Sequence, residues 1–353
     1  MSAPAGRPRR RRALRASIGI AVTVATLALA LRDVDFATLV RDMSRANLPL
    51  LIGLSVPAHV AMLWVRALRW RYLTDAVRPI ERGPLFRATS VGALANNVFP
   101  LRIGEVVRAY YLARETKAET ASLFGTIVLE RGIDGLAVLV LALAIFGARG
   151  RADDGLLAVG LPLLAAGLLP LGAMVWLRIA PDQVIGLTRW GLGLIGGRGR
   201  GSVERVIRRV ADGLGSLQGG RHLWWVGWHS VLIWTVLGVA PFLVAMWALG
   251  IDLGPEREMM AGFVTLAAVG VAVALPSAPG FLGPYHLAAR EALRRFGVSE
   301  ELALAVGTLS HAVFWIATNA VGLAVLRFRG GRLDELAASA AADEDQVPSD
   351  DRR

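Results

Sequence analysis

The chain has 353 residues, 54% of them hydrophobic and only 19% charged, below the roughly 25% usual in soluble domains. It contains no cysteine, which excludes disulfides, thiolate metal sites and cysteine nucleophiles. The formal charge is +11 and every basic residue except Lys117 is Arg. These Arg cluster between apolar runs, as topogenic charge does, so nucleic-acid binding is not expected.

In chain order, the basic stretch "RPRRRRALR" precedes an apolar run over 13–31. Ala28-Leu29-Ala30 resembles a cleavage site, but the run is long for a signal peptide and reads as a retained signal-anchor helix. Further runs cover 48–65, 122–147, 156–177, 223–249 and 302–326, each long enough to cross a bilayer. Two shorter or interrupted runs cover 85–100 and 259–276. The C-terminal "AADEDQVPSDDRR" is polar, lacks aromatics and is expected to be disordered. The organisation expected is a basic cytoplasmic N-terminus (1–12), a transmembrane domain (13–327) with a cytoplasmic loop (178–221), and a disordered cytoplasmic tail (328–353).

Arg bias sets the sides. Six Arg lie within 66–87 and eight within 178–221, against three, two and one in 32–46, 148–155 and 251–258. Both termini and the Arg-rich loops are therefore placed inside, at the bacterial inner membrane. With 156–177 ending inside, 122–147 must run from inside to outside. The chain is then inside both before and after 85–100, which must enter and return on the same side. The same count makes 259–276 enter and return from outside.

These two segments resemble each other. In "NNVFPLRIGEVV" Pro100 stands four residues before Gly104; in "VALPSAPGFLG" Pro276 stands four before Gly280, with Pro279 and Gly283 adding further breaks. Each is followed by an amphipathic stretch with Arg and Glu, then by a long apolar helix. Paired broken segments of opposite orientation mark an inverted repeat around a mid-membrane site. Backbone that is not helical at membrane depth survives only against protein or a water-filled cavity. The fold class is thus an all-α polytopic membrane protein, with about six transmembrane helices and two re-entrant hairpins in an inverted repeat.

Within "VLERGIDGLAVLVL", Glu130 lies about ten residues into its helix, roughly 15 Å deep or half the hydrocarbon thickness. Glu130 and Asp134 share a helix face, while Arg131 points about 100° away. Two carboxylates on one face repel unless a cation sits between them or one is protonated. Arg102 and Arg108 of the first hairpin are the natural partners of Glu130. The arrangement reads either as a structural ion pair locking hairpin to helix or as a polar site inside the bilayer.

Other features carry less. His59 and His311 sit on apolar runs and read as satisfied or lipid-edge histidines, and the five His show no metal-ligand spacing. Trp224, Trp225 and Trp228 fit an interfacial aromatic belt. "GGRGRGS" at Gly196 lacks the P-loop Lys and reads as a flexible linker. "SVERVIRRVADGLGSL" suits a surface helix with a basic side.

The stretches "ANNVFPLRIGEVVRAYYL", "LERGIDG", "LPSAPGFLG" and "RRFGVSEELALAVGTL" together resemble the transmembrane flippase-like region of lysylphosphatidylglycerol synthases and its stand-alone relatives. The resemblance spans roughly 13–327. It implies movement of a modified phospholipid between leaflets. No aminoacyl-transferase domain follows the last helix, so lipid lysylation is not expected. The family's usual second Gly and later acidic residue in the second hairpin are here Phe281 and His286.

The expected role is binding and translocating a phospholipid or lipid-linked headgroup, with a lipid-modifying enzyme as partner and no cofactor or metal. Arg102, Arg108 and Arg131 would meet phosphate, with Asn97 beside them. Glu105, Glu130 and Asp134 would orient those Arg or accept an amine. The alternatives are a membrane-embedded lipid-modifying enzyme, an ion or small-solute transporter, and a non-transporting partner subunit. No catalytic pairing was found in the sequence to support the first.

Overall fold

The computed structural model describes residues 7–75, 77–99, 103–149, 179–194, 220–273 and 279–329, with isolated positions within 172–177, 204–208 and 332–335. The described regular structure is helical throughout: α1 (Arg7–Leu31), α2 (Phe36–Ser44), α3 (Leu48–Thr74), α4 (Arg82–Val98), α5 (Gly104–Thr116), α6 (Thr120–Arg149) and α7 (Pro181–Leu194) come first. Then come α8 (Gly220–Val231), a π-helical segment (Leu232–Leu237), α9 (Ala240–Ala248), α10 (Pro255–Ala272), a 3-10 turn (Pro279–Phe281), α11 (Pro284–Arg294) and α12 (Glu300–Arg329).

Local chemistry explains many boundaries. Asp35 accepts from Ala37 N at 3.0 Å and Thr38 Oγ1 at 2.7 Å, capping α2. Asn47 accepts from Leu50 N at 3.0 Å and caps α3. Pro255 and Pro284 open α10 and α11, where the missing N–H is no loss. Pro241 cannot donate to the carbonyl four residues back, and the helix re-registers just before it: Gly238 N bonds Ile233 O at 2.8 Å, one residue further back than in an α-helix.

Three described helices are long and apolar enough to cross a membrane: Leu48–Thr74, Trp224–Ala248 (through the π segment) and Glu300–Arg329. A shorter apolar helix covers Gly19–Leu31, and α6 has 30 residues. Side chains such as Ile20, Val24, Ile52, Ile316 and Leu323 project outward, as a lipid-facing surface requires. The sixth expected span, 156–177, lies almost wholly outside the described residues, as do the "GGRGRGS" stretch and most of "SVERVIRRVADGLGSL".

Each shorter run forms one arm of a helical hairpin. In hairpin 1, α4 and α5 pack side by side; in hairpin 2, α10 and α11 do the same. A Cβ on Gly104 would stand 2.1 Å from Gly92 O, so the arms of hairpin 1 approach closer than any side chain permits. Asn96 Oδ1 accepts from Gly104 N at 2.8 Å, supplying a partner for an N–H freed by the break. In hairpin 2 the break is carried by positive φ at Gly280 (74°), Phe281 (59°) and Gly283 (88°). Pro100 and Pro276 lie outside the described residues.

Contacts at the helix ends fix the orientation of the parts. Asn47 N donates to Ala248 O at 2.7 Å, while at the other end His222 Nε2 lies 3.6 Å from Asp75 Oδ2. α3 is therefore antiparallel to the α8–α9 helix. The first of these ends also holds both feet of hairpin 2, since Arg257 Nη2 donates to Phe296 O at 3.0 Å. The second holds both feet of hairpin 1, where Arg87 pairs with Glu115 and Arg78 donates to Thr116 O. The hairpins thus enter from opposite ends, and long helix–hairpin–long helix occurs twice with inverted sense. Their breaks meet inside: Asn97 Nδ2 donates to Asn319 Oδ1 of α12 at 3.1 Å, and Asn97 O faces Gly280.

Two cores flank that meeting point. Trp70, Leu85, Leu112, Leu123 and Ile127 are buried around hairpin 1, and Phe242, Met246, Ala289, Leu293 and Val306 around hairpin 2. Arg290 of α11 is buried: it pairs with Glu300 and donates to Leu29 O at 2.6 Å, tying α1 to hairpin 2.

Candidate functional site

Glu130 is fully buried and stands at the centre of an ion cluster built from α3, α5 and α6. Arg108 Nη1 lies 2.9 Å from its Oε2. Arg69 Nη2 lies 3.1 Å, Arg131 Nη2 2.7 Å and Arg66 Nη2 3.4 Å from its Oε1. Asp134, one turn along, meets Arg69 Nη1 at 2.7 Å and Arg131 Nη2 at 3.3 Å. Glu105 reaches Arg131 Nη1 at 3.9 Å.

The cluster is thus four Arg and three carboxylates, a formal surplus of one positive charge. A single ionised group at mid-membrane costs about 2.5–3.5 kcal/mol on insertion scales, so this many charges are tolerable only as a mutually paired set. Neighbours complete it. Ser230 Oγ accepts from Arg69 Nη1 at 3.0 Å, and Trp234 Nε1 in the π segment donates to Asp134 Oδ1 at 3.0 Å. The Arg108 guanidinium lies 3.7 Å over the Trp70 ring.

Several sequence expectations change here. α3 does not end at 65: it continues to Thr74, and Arg66 and Arg69 are helix residues turned into the protein rather than loop charges. Of the six Arg within 66–87, only Arg78 falls between helices. Arg131 does not point away; its long side chain folds back to bridge Glu105, Glu130 and Asp134. Arg108 is a partner of Glu130, as expected, while Arg102 lies outside the described residues. His59 and His311 are buried at 6% and 3% exposure, so neither sits at a lipid edge. Trp224 and Trp228 are exposed, as an interfacial belt needs, but Trp225 turns inward to stack on Tyr72 at 6.2 Å.

A cavity of about 240 Å³ opens between the two hairpins beside this cluster. One end is polar, formed by Arg66, Asn96, Asn97, Glu105 and Arg131. The remaining wall is largely apolar, with Trp234, Phe242, Phe281, Tyr285 and Phe314. The cluster is graded toward this space: the side chains of Arg69, Arg108 and Glu130 are 1%, 2% and 0% exposed, those of Arg66 and Arg131 27% and 34%. The buried members lock α3, α5 and α6 together; the partly exposed pair borders the cavity. Among the described residues no group of three His, Asp or Glu is arranged to hold a metal ion.

The chain is 28% identical over 333 residues to "Glycosyltransferase AglD" of Haloferax volcanii, covering 87% of this chain but only 53% of that protein. It is 25% identical over 310 residues to "UPF0104 membrane protein" of Methanothermobacter thermautotrophicus, covering 84% of this chain and 90% of that protein. The chain therefore spans about half the length of the first relative and most of the second. No solved structure matches it. The family described as "Lysylphosphatidylglycerol synthase TM region" matches residues 16–322, nearly all the helices above, and the chain belongs to that family of membrane proteins.

Proposed function

We propose that the chain binds the headgroup of a phospholipid or lipid-linked substrate between its two hairpins and passes it across the membrane. The observation that carries this reading is the cavity itself, with half-exposed Arg66 and Arg131 at one end and apolar wall elsewhere. Guanidinium groups offer paired donors to phosphate oxygens, and Glu105 at the same end suits an amine. At about 240 Å³ the space is smaller than the roughly 300–1,000 Å³ of sites that enclose a drug-sized ligand. It suits a headgroup whose acyl chains stay in the bilayer. The Arg-rich end, with the feet of hairpin 1, faces the cytoplasm of a bacterial inner membrane in this reading. An enzyme that modifies lipid headgroups is the natural partner, as supplier of cargo. The likeness to a protein named as a glycosyltransferase brings a sugar-bearing lipid into the same class.

The test is purified protein in liposomes carrying fluorescent phospholipids and a lipid-linked sugar, with leaflet exposure followed by a membrane-impermeant quencher. Wild type should speed exchange of at least one anionic or amine-bearing lipid. Arg66→Lys keeps the charge but loses the fork; because the ion pair of Arg66 with Glu130 is a long one at 3.4 Å, the fold should survive while exchange falls roughly tenfold, a 1.4 kcal/mol effect. No wild-type exchange across the panel, with ion gradients supplied, would overturn translocation. Equal rates for wild type and Arg66→Lys would remove Arg66 from the headgroup site.

A further inference from the structure

The half of the molecule around hairpin 2 holds ionisable groups that the ion cluster does not use. His286 on α11 and His311 on α12 have ring centroids 5.0 Å apart in an edge-to-face arrangement. Both are buried, at 8% and 3% exposure. Among the described residues His286 Nδ1 and His311 Nε2 have no hydrogen-bond partner, and unsatisfied buried ring nitrogens are uncommon enough to need a reason. Tyr285 stacks on His311 at 4.3 Å, shares a hydrogen bond with Ser310 Oγ at 3.2 Å, and lines the cavity. One aromatic ring thus separates the pair from the proposed headgroup space.

The surroundings supply no counter-charge. α9, α1 beyond Arg15 and α10 beyond Glu258 contain no titratable side chain. α12 carries only His311 between Glu301 and Arg327, and α4 has none after Arg87. α3 contributes His59, reached through the Phe314 ring at 5.4 Å from His59 and 6.2 Å from His311. On α11 itself the groups are Tyr285, Arg290, which is committed to Glu300 and Leu29 O, and, toward the foot of the hairpin, Glu291 and Arg294, which pair with each other at 3.4 Å. A proton taken up here creates a buried cation with no carboxylate beside it, and a second proton is opposed by the first. An anion entering the adjacent cavity relieves that cost.

We propose that His286 and His311 form a one-proton binding site whose occupancy is coupled to an anionic headgroup in the cavity, so that proton and lipid move together. The proposal rests on the headgroup reading of the cavity for its ligand. Coupling of this kind is reciprocal: if protonation tightens anion binding, anion binding raises proton affinity by the same factor.

The experiment is nitrogen NMR of the full chain, 15N-labelled at histidine, in detergent micelles, with His286→Gln and His311→Asn assigning the two signals. Both substitutions keep an amide where the imidazole stood and remove the titration. The pair should titrate in a single one-proton step, and short-chain phosphatidylglycerol should raise its midpoint by about one pH unit, a tenfold coupling. Absence of any titration between pH 4 and 9, with or without lipid, would overturn the proposal. So would a midpoint that bound phosphatidylglycerol leaves unmoved. If the lipid fails to bind, the headgroup reading fails on its own account, and inorganic phosphate replaces it as the probe. A midpoint unmoved by phosphate up to molar concentration then overturns the pair's coupling, and one raised by it upholds an anion-coupled proton site.

Discussion

Hairpin 1 is held to α3 and α6 through four buried or partly buried Arg and three carboxylates, whereas hairpin 2 keeps its ion pairs to α12 at its foot, at Glu300, and meets α12 nearer the break through Tyr285, His286, His311 and the small residues Ala289 and Gly307. The backbone device is shared: an arm of 17 or 18 residues, a break, an arm of 13 or 11, then a 30-residue helix. The solutions at the breaks also differ. Hairpin 1 satisfies Gly104 N with the Asn96 side chain, while hairpin 2 bends through three positive-φ residues. Phe281 among them adopts φ +59°, a left-handed conformation that a bulky residue rarely takes. The comparison shows that the inverted backbone and the chemistry it encloses are separable. A shared geometry brings two unlike clusters, one charge-dense and one aromatic with two histidines, to the neighbourhood of the same space.

The sharpest way to break the comparison is to ask whether the hairpins do open toward opposite sides. The chain lacks cysteine, so single cysteines label without background. Glu81→Cys and Lys117→Cys, at the exposed feet of hairpin 1, should react from one side of sealed vesicles, and Glu256→Cys and Ser299→Cys from the other. The effect should be all or none. Reaction of Glu81→Cys and Lys117→Cys from opposite sides would abolish the re-entrant reading.

Next in size is the ion cluster. Glu130→Ala leaves Arg69 and Arg108 buried with their shared anion gone, at a cost of roughly 3–5 kcal/mol. Thermal unfolding in detergent should show a large loss of stability, and Arg108→Leu in the Glu130→Ala background should restore part of it. Strict additivity of the two substitutions would mean that they do not interact. His286→Gln, in the aromatic cluster of hairpin 2, should cost far less, because it strands no charge.

The smallest expected difference lies at the breaks. In Gly104→Ala the new methyl meets backbone oxygen at 2.1 Å, so the arms of hairpin 1 must separate, at about 1–3 kcal/mol. In Gly280→Ala the nearest atom is Trp315 Nε1 at 3.0 Å, and the main cost is the left-handed φ, about 1 kcal/mol. Melting temperatures should rank wild type above Gly280→Ala above Gly104→Ala. The reverse order would show that the close approach in hairpin 1 is not what holds its arms.

By itself the sequence determined the membrane class, the two broken segments, their opposite entry and the pairing of Glu130 with Arg108. Those conclusions rest on composition, hydropathic length and the local cost of Pro, Gly and buried charge, all properties of short stretches. Only the tertiary structure decided which charges meet. Arg66 and Arg69 near the end of a helix look the same in sequence as topogenic Arg just beyond it; which face of α3 turns inward separates the two, and packing against α6 sets that face. Arg131 leaves the helix on a different side from Glu130, yet its side chain is long enough to return. His286 and His311 lie 25 residues apart on different helices, so no spacing rule could pair them. Their meeting, like that of Asn97 with Asn319, follows from two inverted hairpins closing on one space, a long-range outcome with no local signal.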